Sequence, residues 1–112
     1  MSVACKCSFE IPSKLIVEAN FADPIWCGHC RANLEIGDFK LTHSLQNAYS
    51  DWLRDFVEWF RMMDSEEKEY VLALISKHNE VGLELTDRLR GELGENYSIT
   101  FLPAKYYSGM TA

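Results

Sequence analysis

Hydrophobic and polar residues alternate along the first third of the chain, and this period of two predicts short strands with one buried face. The apolar positions of the two runs are Cys7, Phe9 and Ile11, followed by Leu15, Val17, Ala19 and Phe21. Pro12-Ser13 between the runs is a turn signal, and Gly37-Asp38 interrupts the chain further on. Leu34 and Ile36, with Phe39 and Leu41, extend the pattern. Residues 5–41 are therefore expected to form a small antiparallel sheet.

The period changes to that of a helix at Thr42 or Ser44, whose hydroxyl groups can cap a helix N-terminus. The apolar positions of this segment are Leu45, Ala48, Tyr49, Trp52, Phe56, Trp59, Phe60 and Met63. Charged residues such as Asp55 and Glu58 occupy the opposite face. We expect one amphipathic helix that ends near Met63.

A second helical pattern follows at once, with Asp64 as the candidate N-cap and Glu67 completing a capping box. Its apolar positions are Val71, Leu74, Ile75, His78, Val81, Leu85 and Leu89, and Gly94 is the expected C-terminal stop. Two helices joined by so short a connection must form an antiparallel hairpin. Gly82 is predicted to let an aromatic ring of the first helix, Trp52 or Tyr49, approach closely.

A last alternating run, Tyr97, Ile99 and Phe101, predicts a strand that ends at Pro103 and joins the N-terminal sheet. The predicted fold is α+β: a zinc-ribbon-like antiparallel sheet packed on a two-helix hairpin. The 112 residues form one domain by the usual size range. Within it we assign 1–41 to the four-cysteine sheet, 42–94 to the hairpin, 95–103 to the final strand and 104–112 to a loose tail.

Composition limits the classes of function. A hydrophobic share of 47% and a charged share of 25% are ordinary for a soluble globular protein. No apolar run reaches the roughly 18 residues of a membrane span, and the N-terminal residues do not resemble a signal peptide. We therefore expect a cytoplasmic protein without a membrane partner. The net charge of −6 argues against nucleic-acid binding.

The cysteines form two close pairs, and four thiolates are the ligand set of a structural zinc site. The cysteines are Cys5, Cys7, Cys27 and Cys30. In a reducing cytoplasm, such pairs favour metal binding or catalysis over structural disulfides. A C-x2-C turn also leaves backbone N–H groups facing the sulfur, and Gly28 should ease that approach. All four cysteines are predicted to bind one Zn2+ ion, and iron fits the same ligands.

The string from Trp26 to Arg31, Trp-Cys-Gly-His-Cys-Arg, resembles the active site of the protein disulfide isomerases. That resemblance implies a thiol-disulfide oxidoreductase in which Cys27 attacks as a thiolate. The family also has a long helix directly after the motif and a cis-proline well downstream. Here Asn33 to Asp38 ends in Ile-Gly-Asp, and the next proline is Pro103. This reading is the principal alternative to a metal site.

A wider resemblance joins the two ends of the chain. The residues that carry it are Ala22-Asp23-Pro24-Ile25-Trp26-Cys27, Cys30, Asn33-Leu34, Asp38-Phe39, His78-Asn79, Gly82, Leu85, Leu89 and Glu92-Leu93-Gly94. Together they resemble a group of small, uncharacterised bacterial proteins with a zinc-ribbon-like N-terminus. The resemblance implies a metal site and supplies no catalytic residue.

The remaining candidates favour a binding module over an enzyme. His78 lies on the apolar face of the second helix, where a buried, hydrogen-bonded core histidine is the simplest interpretation. Trp59 and Phe60 belong to an aromatic stripe that a small sheet does not fully cover. We predict a protein-interaction or adaptor module without a catalytic residue, engaging a protein partner or a second copy of itself. A nucleic-acid-binding zinc ribbon is a third alternative, disfavoured by the net charge.

Overall fold

The structure is a computed structural model that describes residues 13–20, 22–62 and 67–105. It confirms the α+β class, with a mixed sheet, two helices and the C-terminal strand in the sheet. The elements are β1 Lys14–Val17, β2 Ile25–Cys27, β3 Asn33–Leu34, a 3-10 turn Ile36–Asp38, α1 His43–Met62, α2 Lys68–Leu93 and β4 Ser98–Phe101. The predicted strand around Cys7, Phe9 and Ile11 lies outside the described residues, as does Phe21.

The sheet has the strand order β3-β2-β1-β4. β1, β2 and β3 pair antiparallel as predicted, whereas β4 pairs parallel to β1, with Leu15 opposite Ile99. A parallel pair needs a long crossover connection, and here the helical hairpin is part of it. Leu15 and Val17 are fully buried, so the alternation in this run does mark the core face.

Helix α1 begins where the sequence predicted, because Thr42 caps it: the Leu45 N–H donates to Thr42 Oγ1 at 3.2 Å. Thr42 is also hydrogen-bonded to a residue of α2. Its N–H and its hydroxyl donate to the Glu92 carboxylate at 2.8 and 2.7 Å, and these hydrogen bonds lower the pKa of Glu92. Glu92 therefore ties the end of α2 to the start of α1.

Helix α2 begins at Lys68, and Glu67 has the extended backbone of an N-cap without a side-chain cap bond. The predicted capping box is therefore wrong in its use of Glu67, and Asp64 lies outside the described residues. Several acidic residues precede this apolar run, so the pattern does not distinguish one as the cap. The C-terminal prediction is confirmed: Gly94 has φ 86°, and its N–H donates to the Arg90 carbonyl at 2.9 Å.

The two helices are antiparallel, because contacts along α1 meet α2 in reverse order. The Tyr49 hydroxyl donates to the Leu85 carbonyl at 3.2 Å, and the Trp52 indole N–H donates to the His78 carbonyl at 2.9 Å. Among the described residues, neither helix has an apolar stretch long enough to cross a membrane. Ala104, which was assigned to the loose tail, is held by α2: its N–H donates to Asn79 Oδ1 at 2.8 Å and its carbonyl accepts from the Asn79 amide at 3.1 Å. The rest of the predicted tail, 106–112, lies outside the described residues.

His78 lies in the aromatic interior of the hairpin, as predicted, and is only 5% exposed. Its ring stacks on Trp52 with a centroid separation of 4.4 Å and an interplanar angle of 6°. The predicted side-chain hydrogen bond is not present at Nδ1, which has no partner among the described residues. Burial lowers the pKa of His78 from 6.5 to about 4, because a charged imidazole is disfavoured in these surroundings.

At Gly82, the backbone of α2 packs closely against side chains of α1 and β4. A Cβ atom there would lie 2.4 Å from Phe101 Cζ and 2.8 Å from Trp52 Cζ2. The predicted close approach of Trp52 is confirmed, and Phe101 of β4 approaches from the sheet as well. Even one added methyl group at Gly82 would therefore meet two aromatic rings.

We expect Gly82→Ala to lower the free energy of unfolding by about 1–3 kcal/mol through overpacking. Gly91→Ala in the same helix is the matched control, because nothing lies within 4 Å of a Cβ at that position. Removing the exposed glycine should raise stability by about 0.5–1 kcal/mol. Urea unfolding of both variants measures the difference, and equal effects would contradict the packing argument.

His78 should also make stability depend on pH. Between pH 6.5 and about 4 the unfolded chain binds a proton at this residue and the folded chain does not. The contribution is therefore fully present above pH 6.5 and is lost as pH falls, by up to about 3 kcal/mol. His78→Leu should flatten this part of the profile, measured by urea unfolding from pH 7 to pH 4. His29→Gln, which alters an exposed histidine, should keep the wild-type slope.

Candidate functional site

The cysteine turn at the end of β2 has the backbone arrangement expected of a metal-binding knuckle. The N–H groups of His29 and Cys30 point at Cys27 Sγ, at 3.4 and 3.5 Å. Arg31, at φ 67°, closes the turn by donating its N–H to the Cys27 carbonyl at 2.9 Å. Backbone N–H groups directed at a sulfur are also an arrangement seen around cysteines that bind metal.

Gly28 is needed in this turn for a different reason from the one predicted. Its N–H donates to the Lys14 carbonyl of β1 at 2.7 Å and does not face the sulfur. A Cβ atom on Gly28 would lie 2.6 Å from Lys14 Cγ. The glycine is therefore required because β1 crosses close to the turn.

The four-cysteine zinc site stays a prediction. Cys5 and Cys7 lie outside the described residues. Within residues 13–20, 22–62 and 67–105, no three His, Cys, Asp or Glu side chains come together as a metal cluster. Cys27 is buried, Cys30 is half-buried and His29 is exposed.

The surroundings of Cys27 differ from those of a disulfide isomerase nucleophile. Such a cysteine is partly exposed and gains its reactivity from a helix N-terminus. Here Cys27 is completely buried, and Cys30 is followed by a turn and the short strand β3. These features favour a structural knuckle over a redox pair.

A concave surface with a volume of about 280 Å³ lies between the two helices. We call it the hairpin groove, and its lining is Trp52, Asp55, Glu58, Trp59 and Met62 of α1 with Tyr70, Leu74, Lys77, His78 and Val81 of α2. The volume is at the lower end of small-molecule pockets and suits one or two inserted side chains. Its lining comes entirely from the hairpin.

Two buried polar atoms belong to residues of this groove and lack a hydrogen-bond partner in the described part of the chain. They are the indole Nε1 of Trp59 and Nδ1 of His78. Both side chains are at least 95% buried, and their ring centroids are 5.5 Å apart. Buried polar groups without partners are rare in folded proteins and mark sites of interest.

The rim of the groove is exposed and predominantly acidic. Asp55 and Glu58 lie on the α1 side, and Lys77 lies opposite on α2. No described residue forms an ion pair with either carboxylate or with Lys77. Tyr70, which is 50% exposed, adds an aromatic ring to the same rim. The sequence analysis missed this groove, because helical period does not show which apolar flank the sheet leaves uncovered.

Two other surfaces could meet a partner. Leu72 and Leu83 are 43% and 55% exposed, and their spacing of three helical turns places them together on the other flank of α2. Among the described strands, β4 lies at one edge of the sheet. The Arg90 guanidinium donates to the Ile99 carbonyl at 2.8 Å, so this edge is partly occupied.

Comparison with known proteins identifies a family for this chain. No curated protein matches the chain. A family model described as Serratia CdiI immunity protein-like matches residues 13–104, which include both helices, all four described strands and the Cys27–Cys30 turn. The match begins after Cys5 and Cys7. The chain belongs to the Serratia CdiI immunity protein-like family.

Proposed function

We propose that this protein is an immunity protein that binds a protein toxin and neutralises it by forming a complex. The observation that carries the proposal is the family match over residues 13–104, which spans the whole described fold. It agrees with the sequence-based expectation of a protein-interaction module. The toxin is the protein partner, and the chain needs no catalytic residue for this task.

The surface is suited to protein binding because it combines exposed apolar side chains with negative charge. Tyr70, Leu72 and Leu83 are exposed on α2. The net charge of −6 favours a basic partner, since complementary charge speeds association and selects against wrong partners.

The helical hairpin is also well fixed before any partner binds. Trp52 and Tyr49 donate side-chain hydrogen bonds across it, and Glu92 ties its open end to Thr42. A preorganised surface loses little conformational entropy on binding, which raises affinity for a given contact area. Binding of this kind can block a toxin without any change in the immunity protein.

Growth rescue tests the proposal directly. Fragments of the genome that encodes the chain are expressed inducibly in a sensitive bacterial host, and those that arrest growth are retained. We expect co-expression of this protein to restore growth with at least one fragment. The rescued fragment should form a stoichiometric complex with the purified chain, measured by calorimetry.

The control separates neutralisation from a general effect on expression. Gly82→Leu, which is expected to destabilise the fold, should fail to rescue, while toxin levels on immunoblots stay unchanged. If no growth-arresting fragment is rescued or bound, the immunity proposal is wrong.

We further propose that Cys27 and Cys30 bind one zinc ion together with Cys5 and Cys7. The support is the knuckle geometry: the N–H groups of His29 and Cys30 face Cys27 Sγ. Held by four thiolates, a zinc ion would cross-link the chain and have no position left for catalysis. The chain's own contribution is the turn that directs the His29 and Cys30 N–H groups at Cys27 Sγ.

Metal analysis of protein purified without added zinc should find one zinc ion per chain. Cys30→Ser should lose the metal and lower the melting temperature, because metal binding and folding are coupled in such sites. His29→Ala is the matched control in the same turn and should retain both. Metal-free protein with a Cys27–Cys30 disulfide would contradict the site and favour the oxidoreductase alternative, and the immunity proposal would stand regardless.

A further inference from the structure

We propose that the hairpin groove is the contact site for a basic segment of the toxin, with an arginine or lysine side chain between Asp55 and Glu58 and a backbone carbonyl on the Trp59 indole N–H. This inference rests on the proposed function and specifies its interface. The occupant is a short stretch of protein chain, since the groove volume of about 280 Å³ admits side chains and excludes a folded element.

Two polar atoms of residues that line the groove have no hydrogen-bond partner in the described part of the chain, and a bound peptide can supply one. Trp59 Nε1 and His78 Nδ1 are buried and unbonded among the described residues. The molecule's other two tryptophans have acceptors: Trp26 donates to the Glu18 carbonyl at 3.2 Å and Trp52 to the His78 carbonyl at 2.9 Å. The Trp59 indole N–H therefore remains available to donate to a carbonyl oxygen of a bound peptide.

The rim determines the charge of the occupant. Asp55 and Glu58 are one helical turn apart on α1, so their carboxylates lie on the same side of the groove. Neither forms an ion pair with a described residue, and the chain as a whole carries −6. A cationic side chain would satisfy both carboxylates, while its aliphatic stem packs on Tyr70 and Leu74. An acidic segment would meet repulsion.

The other exposed surfaces fit a peptide less well. Leu72 and Leu83 are exposed apolar side chains that do not line the groove, and the β4 edge has its Ile99 carbonyl occupied by Arg90. A second cavity, of about 130 Å³, also has Trp59 in its lining, but its carboxylate, Glu18, lies 3.9 Å from Arg31. The hairpin groove combines Trp59 with His78 and with two carboxylates that form no ion pair with a described residue.

Peptide titration followed by NMR tests the groove without the toxin. The probe is the dipeptide N-acetyl-Leu-Arg-amide at millimolar concentration, and the reporters are the three indole N–H signals. We expect the Trp59 signal to move downfield in a saturable way, since its N–H gains an acceptor. The Trp26 signal should stay in place. N-acetyl-Leu-Glu-amide, with the opposite charge, should produce no saturable shift.

Variants assign the effect to the rim. Asp55→Asn with Glu58→Gln should weaken arginine-peptide binding by roughly tenfold, because both partners of the cation are removed. Glu80→Gln with Glu84→Gln makes the same change of charge at exposed positions outside the groove and should leave binding within twofold. Lys77→Gln should tighten binding, since it removes the one cation of the rim.

The outcomes distinguish the groove from the proposed function. If the Trp59 signal does not move, or both peptides move it equally, the groove is not a site for basic segments. Growth rescue tests neutralisation separately. A toxin that binds the double variant Asp55→Asn/Glu58→Gln as tightly as wild type would contradict the groove and leave the immunity role intact.

Discussion

The close contact at Gly82 is the constraint on which the rest of the structure depends. With no side chain at this position, Trp52 of α1 and Phe101 of β4 both reach the backbone of α2. Trp52 then stacks on His78 and donates to its carbonyl, which fixes the spacing and register of the hairpin. Phe101 brings the end of β4 onto the same point, and β4 pairs with β1. Three elements that are distant in sequence therefore meet where one side chain is missing.

The hairpin groove is a consequence of this arrangement. Trp52 and Trp59 border a groove whose lining comes entirely from the two helices, so the sheet does not cover this part of the hairpin. Trp52 uses its indole N–H within the interface, whereas Trp59, two helical turns later, has no acceptor among the described residues. A buried, unpaired donor costs about 1–3 kcal/mol of stability. The fold carries this cost in the free protein, and a partner that provides an acceptor recovers it on binding.

Sequence periodicity predicted the secondary-structure elements and much of the core. It failed for features that depend on contacts between residues distant in sequence. Leu15, Tyr49 and Leu89 follow a period of two or 3.6 and are buried accordingly. Strand direction has no period, so the parallel pairing of β4 was not predictable. Gly28 was recognised as necessary, but its reason, the passage of Lys14, depends on a contact between strands. The groove depends on which flank the sheet leaves open, and the immunity role is proposed from the family match, which periodicity does not indicate.

The residues that carry the wider sequence resemblance are largely occupied in building the fold. Asp23 exchanges hydrogen bonds with the Asn33 amide at 3.1 and 2.8 Å, and its carboxylate accepts the Ile36 N–H at 3.2 Å. Asn79 and Glu92 likewise have their side-chain groups committed to backbone partners. Under the proposed function, these engaged side chains are poorly placed to select a partner, because changing them would cost stability. Selection between partners is then expected from exposed positions such as Tyr70 and the acidic rim, where a changed charge alters the partner and leaves the scaffold unchanged.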